Sequence, residues 1–210
     1  MISGRHKFIF LHVPKTAGNA VQSYLLPFSD DRKVVGAYQD GVERFGVAGE
    51  VTPTKHATLA DYARVLGPAL DEYRVILPIR DPIDRALSLY FSPHRAFGRP
   101  AGFVPAFDLD VFARLIADMP GIVDYLRVEG VIRSPDFLLR FDNLAADLAA
   151  VAASFGWPAP ALPVLNASLD RDGQRDRLRG DPAVAGLVRK RFAEDYELFG
   201  FSTAPGPATA

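Results

Sequence analysis

The chain lacks cysteine and carries almost no net charge. Its 210 residues include no Cys, and 24 Lys and Arg side chains stand against 25 Asp and Glu side chains, for a formal net charge of −1. The absence of cysteine excludes disulfides, thiolate zinc sites and a cysteine nucleophile. The charge balance provides no general attraction for nucleic acid, so we expect no nucleic-acid partner. Any polyanion must be held by a local basic cluster.

Long apolar runs are also missing. No run approaches the ~20 residues of a membrane-spanning helix, and the run over residues 8–13 breaks at Pro14 without a signal-peptide cleavage pattern. We therefore expect no membrane span and, by default, a cytoplasmic protein. Residues 202–210 have no apolar pattern and are predicted to form a disordered tail after one domain over residues 1–201.

Short apolar runs alternate with helix signals along the chain. Residues 8–13 and 75–79 are nearly continuous apolar runs, as in parallel strands covered on both faces, and residues 137–141 resemble a third strand. The alternation predicts a single three-layer α/β domain with a mostly parallel central sheet. Helices are predicted over residues 17–26, from Thr58, from Pro82 after an Asp81 cap, over 109–119 after Asp108, over 144–155 before Gly156, and from Pro182 to about Phe199.

The first motif with chemical meaning directly follows the first predicted strand. It reads Pro14-Lys15-Thr16-Ala17-Gly18-Asn19 and precedes a helix. Backbone N–H groups at a helix N-terminus attract phosphate or sulfate, and the lysine adds a mobile positive charge. The motif is not a Walker A loop, because its lysine comes before the glycine. The alternative interpretation is an ordinary strand-to-helix turn with a surface lysine.

The second motif directly follows the second predicted strand. Arg80 lies just past the carboxyl end of that strand, where open α/β sheets place ligands, and Ser88 lies on the following helix. Arg80 and Ser88 could share one phosphate, through bidentate guanidinium bonds and a hydroxyl donor. The alternative is an Asp-Arg ion pair on an exposed helix. Together, the two motifs predict a site for a nucleotide that is phosphorylated at both ends.

These residues resemble the carbohydrate sulfotransferases, which use 3′-phosphoadenosine 5′-phosphosulfate (PAPS). The similarity is nearest to the branch of heparan sulfate 2-O-sulfotransferase and its short bacterial relatives. It extends beyond the two phosphate motifs, although only those are specific. The matching segments are Phe10-x-His12-Val13 with Pro14-Lys15-Thr16-Ala17-Gly18, Arg80-Asp81-Pro82-x-x-Arg85-x-x-Ser88-x-Tyr90, Arg140-Phe141-Asp142-Asn143-Leu144, and residues 162–168 and 192–199.

The resemblance implies a P-loop-like loop that binds the 5′-phosphosulfate, with Lys15 near the bridging oxygen. It also implies that Arg80 and Ser88 bind the 3′-phosphate. The family usually has hydroxyl residues after the glycine, where this chain has Asn19 and Ala20. The predicted donor-binding residues are Pro14, Lys15, Thr16, Ala17, Gly18, Asn19, Ala20, Arg80 and Ser88, with Lys15 also catalytic.

Sulfuryl transfer to an alcohol needs a base for the hydroxyl proton. His56 is the preferred candidate, since imidazole titrates near neutral pH and the family resemblance places a histidine between the two motifs in this role. The alternative is a helix-start histidine without chemistry. Weaker base candidates are Asp40, Glu43 and Glu50. No cluster with metal-ligand spacing is present, so no metal is expected.

The predicted activity is therefore an O-sulfotransferase that moves a sulfuryl group from PAPS to a carbohydrate or glycan and releases PAP. Arg95 and Arg99 hint at an anionic acceptor. Two alternatives stay open at the level of sequence. One is a PAP- or PAPS-binding protein with impaired catalysis, and the other is a nucleotide or sugar kinase.

Overall fold

The structure, a computed structural model, divides into two compact units. The sheet unit comprises Met1–Ile79 and Ile122–Asn166, and the helical unit comprises Arg80–Gly121 and Ala167–Ala210. The single domain predicted over residues 1–201 stays a prediction. The residues that the structure describes are 1–36, 44–92, 106–161 and 173–202.

A four-stranded sheet forms the centre of the sheet unit. Its strand order is β1-β2-β5-β8, in which β1 pairs antiparallel with β2 and the other neighbours are parallel. The prediction of an α/β chain with a mostly parallel central sheet is confirmed. Two hairpins, β3-β4 and β6-β7, were not predicted. The strands are β1 (Ile2–Ser3), β2 (Phe8–Phe10), β3 (Arg32–Val34), β4 (Gly46–Ala48), β5 (Arg74–Ile79), β6 (Arg127–Val128), β7 (Val131–Ile132) and β8 (Phe137–Arg140).

The first predicted strand ends earlier than expected. All three residues of β2 are buried, as the apolar run predicts. The Leu11 N–H still donates to the Ile76 carbonyl at 3.1 Å, but the Val13 N–H donates back to Leu11 at 3.0 Å. The chain has therefore turned out of the ladder before Pro14, and the loop predicted to bind phosphate begins at that turn.

Helices account for most of the remaining described residues, and most predicted starts are confirmed. Thr58 and Asp61 form the predicted capping box, and Asp81, Asp108 and Asp181 each cap a helix with a side-chain oxygen. The α-helices are α1 (Gly18–Leu25), α2 (Leu59–Leu66), α3 (Pro82–Tyr90), α4 (Leu109–Ala117), α5 (Leu144–Phe155), α6 (Gln174–Arg179), α7 (Pro182–Arg191) and α8 (Ala193–Phe199). Short 3-10 helices span Leu26–Phe28, Gly67–Glu72, Val123–Tyr125 and Phe141–Asn143.

The core of the sheet unit is organised around an aromatic stack. Trp157 lies between Phe28 and Phe155, with both ring pairs parallel at centroid distances of 4.3 Å. The Arg74 guanidinium covers Phe155 at 3.7 Å. Phe8 meets Trp157 edge-on at 5.5 Å, which ties the stack to the sheet. Trp157 is thus a core residue with both faces of its indole ring in contact with aromatic side chains.

The helical unit contains α3, α4 and α6 to α8. The single helix expected from Pro182 to about Phe199 is wrong, because the chain forms α7 and α8 with a break at Phe192. Phe192 is buried in the core of this unit, at a backbone φ of −116°. Burying this ring at the end of α7 takes the chain out of helical geometry for one residue.

We expect Trp157→Ala to lower the free energy of unfolding by about 3–5 kcal/mol, because it removes the middle of the aromatic stack. The matched control is Val131→Ala in the same unit, where the side chain is 66% exposed. That variant should change the free energy of unfolding by no more than about 0.5 kcal/mol. Urea denaturation followed by circular dichroism measures both, and equal losses would contradict a core role for Trp157.

Candidate functional site

The loop after β2 has an unusual backbone. Lys15 and Ala17 adopt left-handed conformations, with φ of 69° and 66°, although both carry a Cβ atom. Thr16 lies between them and donates its hydroxyl proton to the Val13 carbonyl at 2.8 Å. Alternation of left-handed and ordinary residues turns successive N–H groups toward one side and forms an anion-binding concavity. Each such residue costs about 1–3 kcal/mol, and this loop holds two of the four non-glycine residues with positive φ in the described part of the chain.

Helix α1 begins without a side-chain cap. Its N-cap is Ala17, and within the described part of the chain no side chain accepts a cap hydrogen bond and no acidic residue lies in the first turn. The starts of α2, α3, α4 and α7 are each capped by a Thr or Asp side chain, whereas α5, α6 and α8, like α1, begin without a side-chain cap. The N–H groups of a first turn need an acceptor, and an anionic ligand can provide it.

Gly18 packs directly against the ring of His12. A Cβ atom added at Gly18 would lie 2.4 Å from Cδ2 and 2.5 Å from Nε2 of His12. No side chain fits in that space, so the glycine is required for close packing. The φ of Gly18 is not in the left-handed region. The helix therefore starts in contact with the imidazole.

His12 is buried, and a hydrogen bond with the Gln22 side chain holds its ring. Its Nδ1 lies 2.8 Å from Oε1 of Gln22, whose amide nitrogen donates to the Phe45 carbonyl at 2.9 Å. Since the amide oxygen can only accept, Nδ1 of His12 carries the proton. Burial, followed by the nearby His56 and Lys55, holds the pKa of His12 well below its ordinary value. The ring is therefore neutral and fixed in orientation.

His56 is held by the backbone of the same histidine. Its Nδ1 lies 2.7 Å from the His12 carbonyl oxygen, and the two rings meet edge-on at 4.9 Å. Because a carbonyl only accepts, Nδ1 must donate, and the neutral imidazole keeps its lone pair on Nε2. Partial burial and then the charge of Lys55 lower the pKa of His56, while the hydrogen bond to His12 opposes that shift. The geometry and charge together favour a neutral base.

Lys55 is a site residue that the sequence predictions missed. Its ammonium group donates to Oδ1 of Asn19 at 2.6 Å and to the Phe45 carbonyl at 2.8 Å. Asn19 is the second residue of α1, so the lysine lies at the start of the helix that follows the loop. The signal in the sequence was the neighbouring pair Lys55 and His56. The sheet unit thus brings Gly18 of the predicted loop and His56 together through His12.

Arg80 and Ser88 belong to the helical unit. Arg80 is partly buried, and burial, opposed by Asp84, lowers its pKa to about 10, which leaves it charged at neutral pH. The charges of Arg175 and Arg179 also lower that pKa, so three guanidinium groups act on one another in this unit. Ser88 is buried, on α3.

The alternative of an exposed α3 is wrong. Seven of the nine residues of α3 are buried, and the Arg85 side chain is fully buried. The Arg85 guanidinium lies 3.9 Å from a buried Asp195 carboxylate and donates to the Pro120 carbonyl at 2.8 Å. Arg85 therefore stabilises the helical unit from within.

The remaining candidates lie elsewhere in the chain. Glu50 lines a cavity of about 550 Å³ beside β4, together with Ile2, Asp30, Asp31, Arg32, Ala48, Gly49 and Val51. The other weaker base candidates, the two arginines expected to contact an anionic acceptor, and almost all of the predicted tail lie outside the described residues. These are Asp40, Glu43, Arg95, Arg99 and residues 203–210.

The described ranges contain neither a cluster of metal-ligating side chains nor a membrane-spanning helix. No group of three or more His, Cys, Asp or Glu side chains within residues 1–36, 44–92, 106–161 and 173–202 has a geometry that could hold a metal ion. Within the same ranges, no helix has both the length and the apolar character needed to cross a membrane.

Gly18→Ala should disturb the loop, because the new methyl group would overlap the His12 ring. We expect the free energy of unfolding to fall by about 1–3 kcal/mol. Gly186→Ala is the matched control, since its Cβ would meet no atom within 4 Å in the middle of α7. In that variant, the free energy of unfolding should rise by about 0.5–1 kcal/mol. Chemical denaturation checks both, and a neutral or stabilising effect at Gly18 would contradict the close packing on His12.

Comparison with known proteins points to one family. The model of the Sulfotransferase family matches residues 1–98. No curated protein and no solved structure gives a significant match to the chain. The matched segment contains the loop after β2, His56, Arg80 and Ser88. The match covers slightly less than half of the chain and supports a sulfotransferase family for it.

Proposed function

We propose that this chain is a PAPS-dependent O-sulfotransferase that acts on a hydroxyl group of a carbohydrate or glycan. The observation that carries the proposal is the shared support of two groups by His12. Its ring contacts Gly18 at the start of α1, and its carbonyl fixes the tautomer of His56. An anion-binding loop and a neutral base are thereby held in one unit, as transfer from an anionic donor to an alcohol requires.

The loop over residues 14–20 would bind the 5′-phosphosulfate of the donor. Two properties support this role. The left-handed Lys15 and Ala17 turn N–H groups toward one side, and the first turn of α1 lacks a side-chain cap within the described residues. In this proposal, the Lys15 ammonium lies near the bridging oxygen and stabilises the charge that develops there.

The chemical step follows from these assignments. Nε2 of His56 takes the proton of the acceptor hydroxyl as the acceptor oxygen forms a bond to sulfur. The bond between sulfur and the bridging oxygen breaks, and its electrons stay on the 5′-phosphate of the departing PAP. Lys15 and the loop N–H groups stabilise the departing oxygen. The histidine later releases its proton to water.

Arg80 and Ser88 would bind the 3′-phosphate. The supporting observation is the crowding of cations in the helical unit, where the charges of Arg175 and Arg179 disfavour the charged form of Arg80. A bound dianion would relieve that repulsion. Ser88 would donate its hydroxyl proton to the same phosphate. Because its side chain is buried, a local rearrangement would have to expose it first.

The acceptor is proposed at the level of class. A carbohydrate or glycan is expected from the resemblance to the heparan sulfate 2-O-sulfotransferase branch, and Arg95 and Arg99 favour an anionic one. A cytoplasmic location belongs to the same proposal and rests on sequence grounds alone.

Nucleotide selectivity tests the donor assignment. We expect PAP to raise the melting temperature of the chain more than AMP or ATP, both in EDTA and with added magnesium. Arg80→Ala should weaken PAP binding by about 1.5–3 kcal/mol, because a charged hydrogen-bonding group to the 3′-phosphate is lost. Binding of adenosine 5′-phosphosulfate, which lacks that phosphate, should change little. Calorimetry and thermal-shift measurements provide these values.

The control is Arg114→Ala, an exposed arginine on α4 of the same unit. It should leave PAP affinity unchanged. A preference for ATP that depends on magnesium would contradict the proposal and favour a nucleotide or sugar kinase. PAP binding without any transfer from PAPS to a broad panel of glycans would instead favour a binding protein with impaired catalysis.

His56→Gln should abolish sulfuryl transfer and leave PAP affinity nearly unchanged, because the base contacts the acceptor hydroxyl. The pKa of His56 is lowered from 6.5, so its base form persists at neutral pH. In the wild type, kcat/KM should therefore be flat near pH 7 and fall on the acid side with a midpoint below 6.5. His6→Gln, at the edge of the aromatic stack, should retain transfer. If the His56→Gln variant stays active, another residue is the base, and Glu50 is the first candidate to substitute.

A further inference from the structure

A hydrogen-bonded circuit surrounds the two histidines of the sheet unit. His56 donates to the His12 carbonyl, and the ring of His12 lies against Oε1 of Gln22 at 2.8 Å. Gln22 and Lys55 both donate to the Phe45 carbonyl, at 2.9 and 2.8 Å. Lys55 precedes His56 in the chain, so the circuit returns to its starting point. Its one formal charge is the lysine ammonium.

Asn19 is the anchor of that ammonium on α1. The distance of 2.6 Å between Nζ of Lys55 and Oδ1 of Asn19 is that of a short, charge-assisted hydrogen bond. Asn19 stands where the sulfotransferases that the chain resembles usually carry a hydroxyl residue. In the structure, the Asn19 side chain accepts from Lys55, which directly precedes the proposed base His56 in the chain.

We propose that Asn19 and Lys55 are positioning residues for His56, with Asn19 holding the lysine ammonium beside the imidazole that acts as the base. This inference rests on the function proposed above. It assigns a role to the side chain of Asn19, whose amide oxygen accepts from the lysine without neutralising its charge. A carboxylate at the same place would accept as well, but would cancel that charge.

The electrostatic consequence is a base that stays unprotonated. The groups that act on His56 are the charge of Lys55, the His12 carbonyl and the neutral His12 ring. The lysine charge lowers the pKa of His56, and the hydrogen bond to the carbonyl raises it. Lys55 also lowers the pKa of His12, so the ring that supports Gly18 stays neutral too. Loss of the lysine charge should raise both pKa values.

The test is an NMR titration of the histidine Cε1–H signals in the protein without nucleotide. Substitution of the four histidines by Gln, one at a time, assigns the signals. Lys55→Met should raise the titration midpoint of His56, and the acid-side fall of kcat/KM should move to correspondingly higher pH. Lys33→Met is the matched control, because the Lys33 ammonium lies 5.0 Å from the ring centroid of the same Phe45. It should leave the His56 midpoint in place.

Asn19→Asp keeps an acceptor of nearly the same shape and adds a negative charge. It should also raise the His56 midpoint, and it decides the question if Lys55→Met does not fold. An unchanged midpoint in a folded Lys55→Met or Asn19→Asp variant would overturn the inference. Failure of the chain to bind PAP or to transfer a sulfuryl group would overturn the proposed function, while the titration, which needs no ligand, would still report on the pair.

Discussion

The buried imidazole of His12 is the contact on which the candidate site depends. Its ring occupies the space where Gly18 would carry a side chain, and its backbone carbonyl accepts from His56. The start of α1 and His56, the proposed base, are therefore both held by one buried, neutral imidazole residue. Protonation of His12 would place a charge in a dry interior and disturb both. Burial and the nearby Lys55 charge each disfavour that charge, so both lower the pKa of His12.

Strain in the loop is balanced by the packing around it. Lys15 and Ala17 hold left-handed conformations that cost free energy, and the Thr16 hydroxyl bond to Val13 fixes the turn between them. Such strain persists only where the surrounding structure determines the backbone. Here the buried strand β2 on one side and the contact of Gly18 with His12 on the other provide that constraint. The surrounding structure therefore determines the loop backbone, as the proposed binding of an anion requires.

Local signals made much of the fold predictable. Asp and Thr caps, Pro82 at a first helical position and continuous apolar runs act over a few residues, so the sequence alone places those helices and the parallel strands. The break at Phe192 and the burial of Arg85 depend on partners distant in the chain, and no local pattern carries them. The same limit applies to the site. The loop and His56 are visible as motifs, whereas the bond between Asn19 and Lys55 joins positions that only the folded chain brings together.

The tautomer of His56 is the most direct measure of whether His12 organises a base. Long-range ¹H–¹⁵N correlation spectra of the imidazole rings distinguish a protonated nitrogen from one that carries a lone pair. With His56 donating from Nδ1 to the His12 carbonyl, Nδ1 should give the signal of a protonated nitrogen and Nε2 that of an unprotonated one at pH 7.5. A neutral His56 with the proton on Nε2 would contradict the arrangement, because that nitrogen could not then accept the proton of an acceptor hydroxyl.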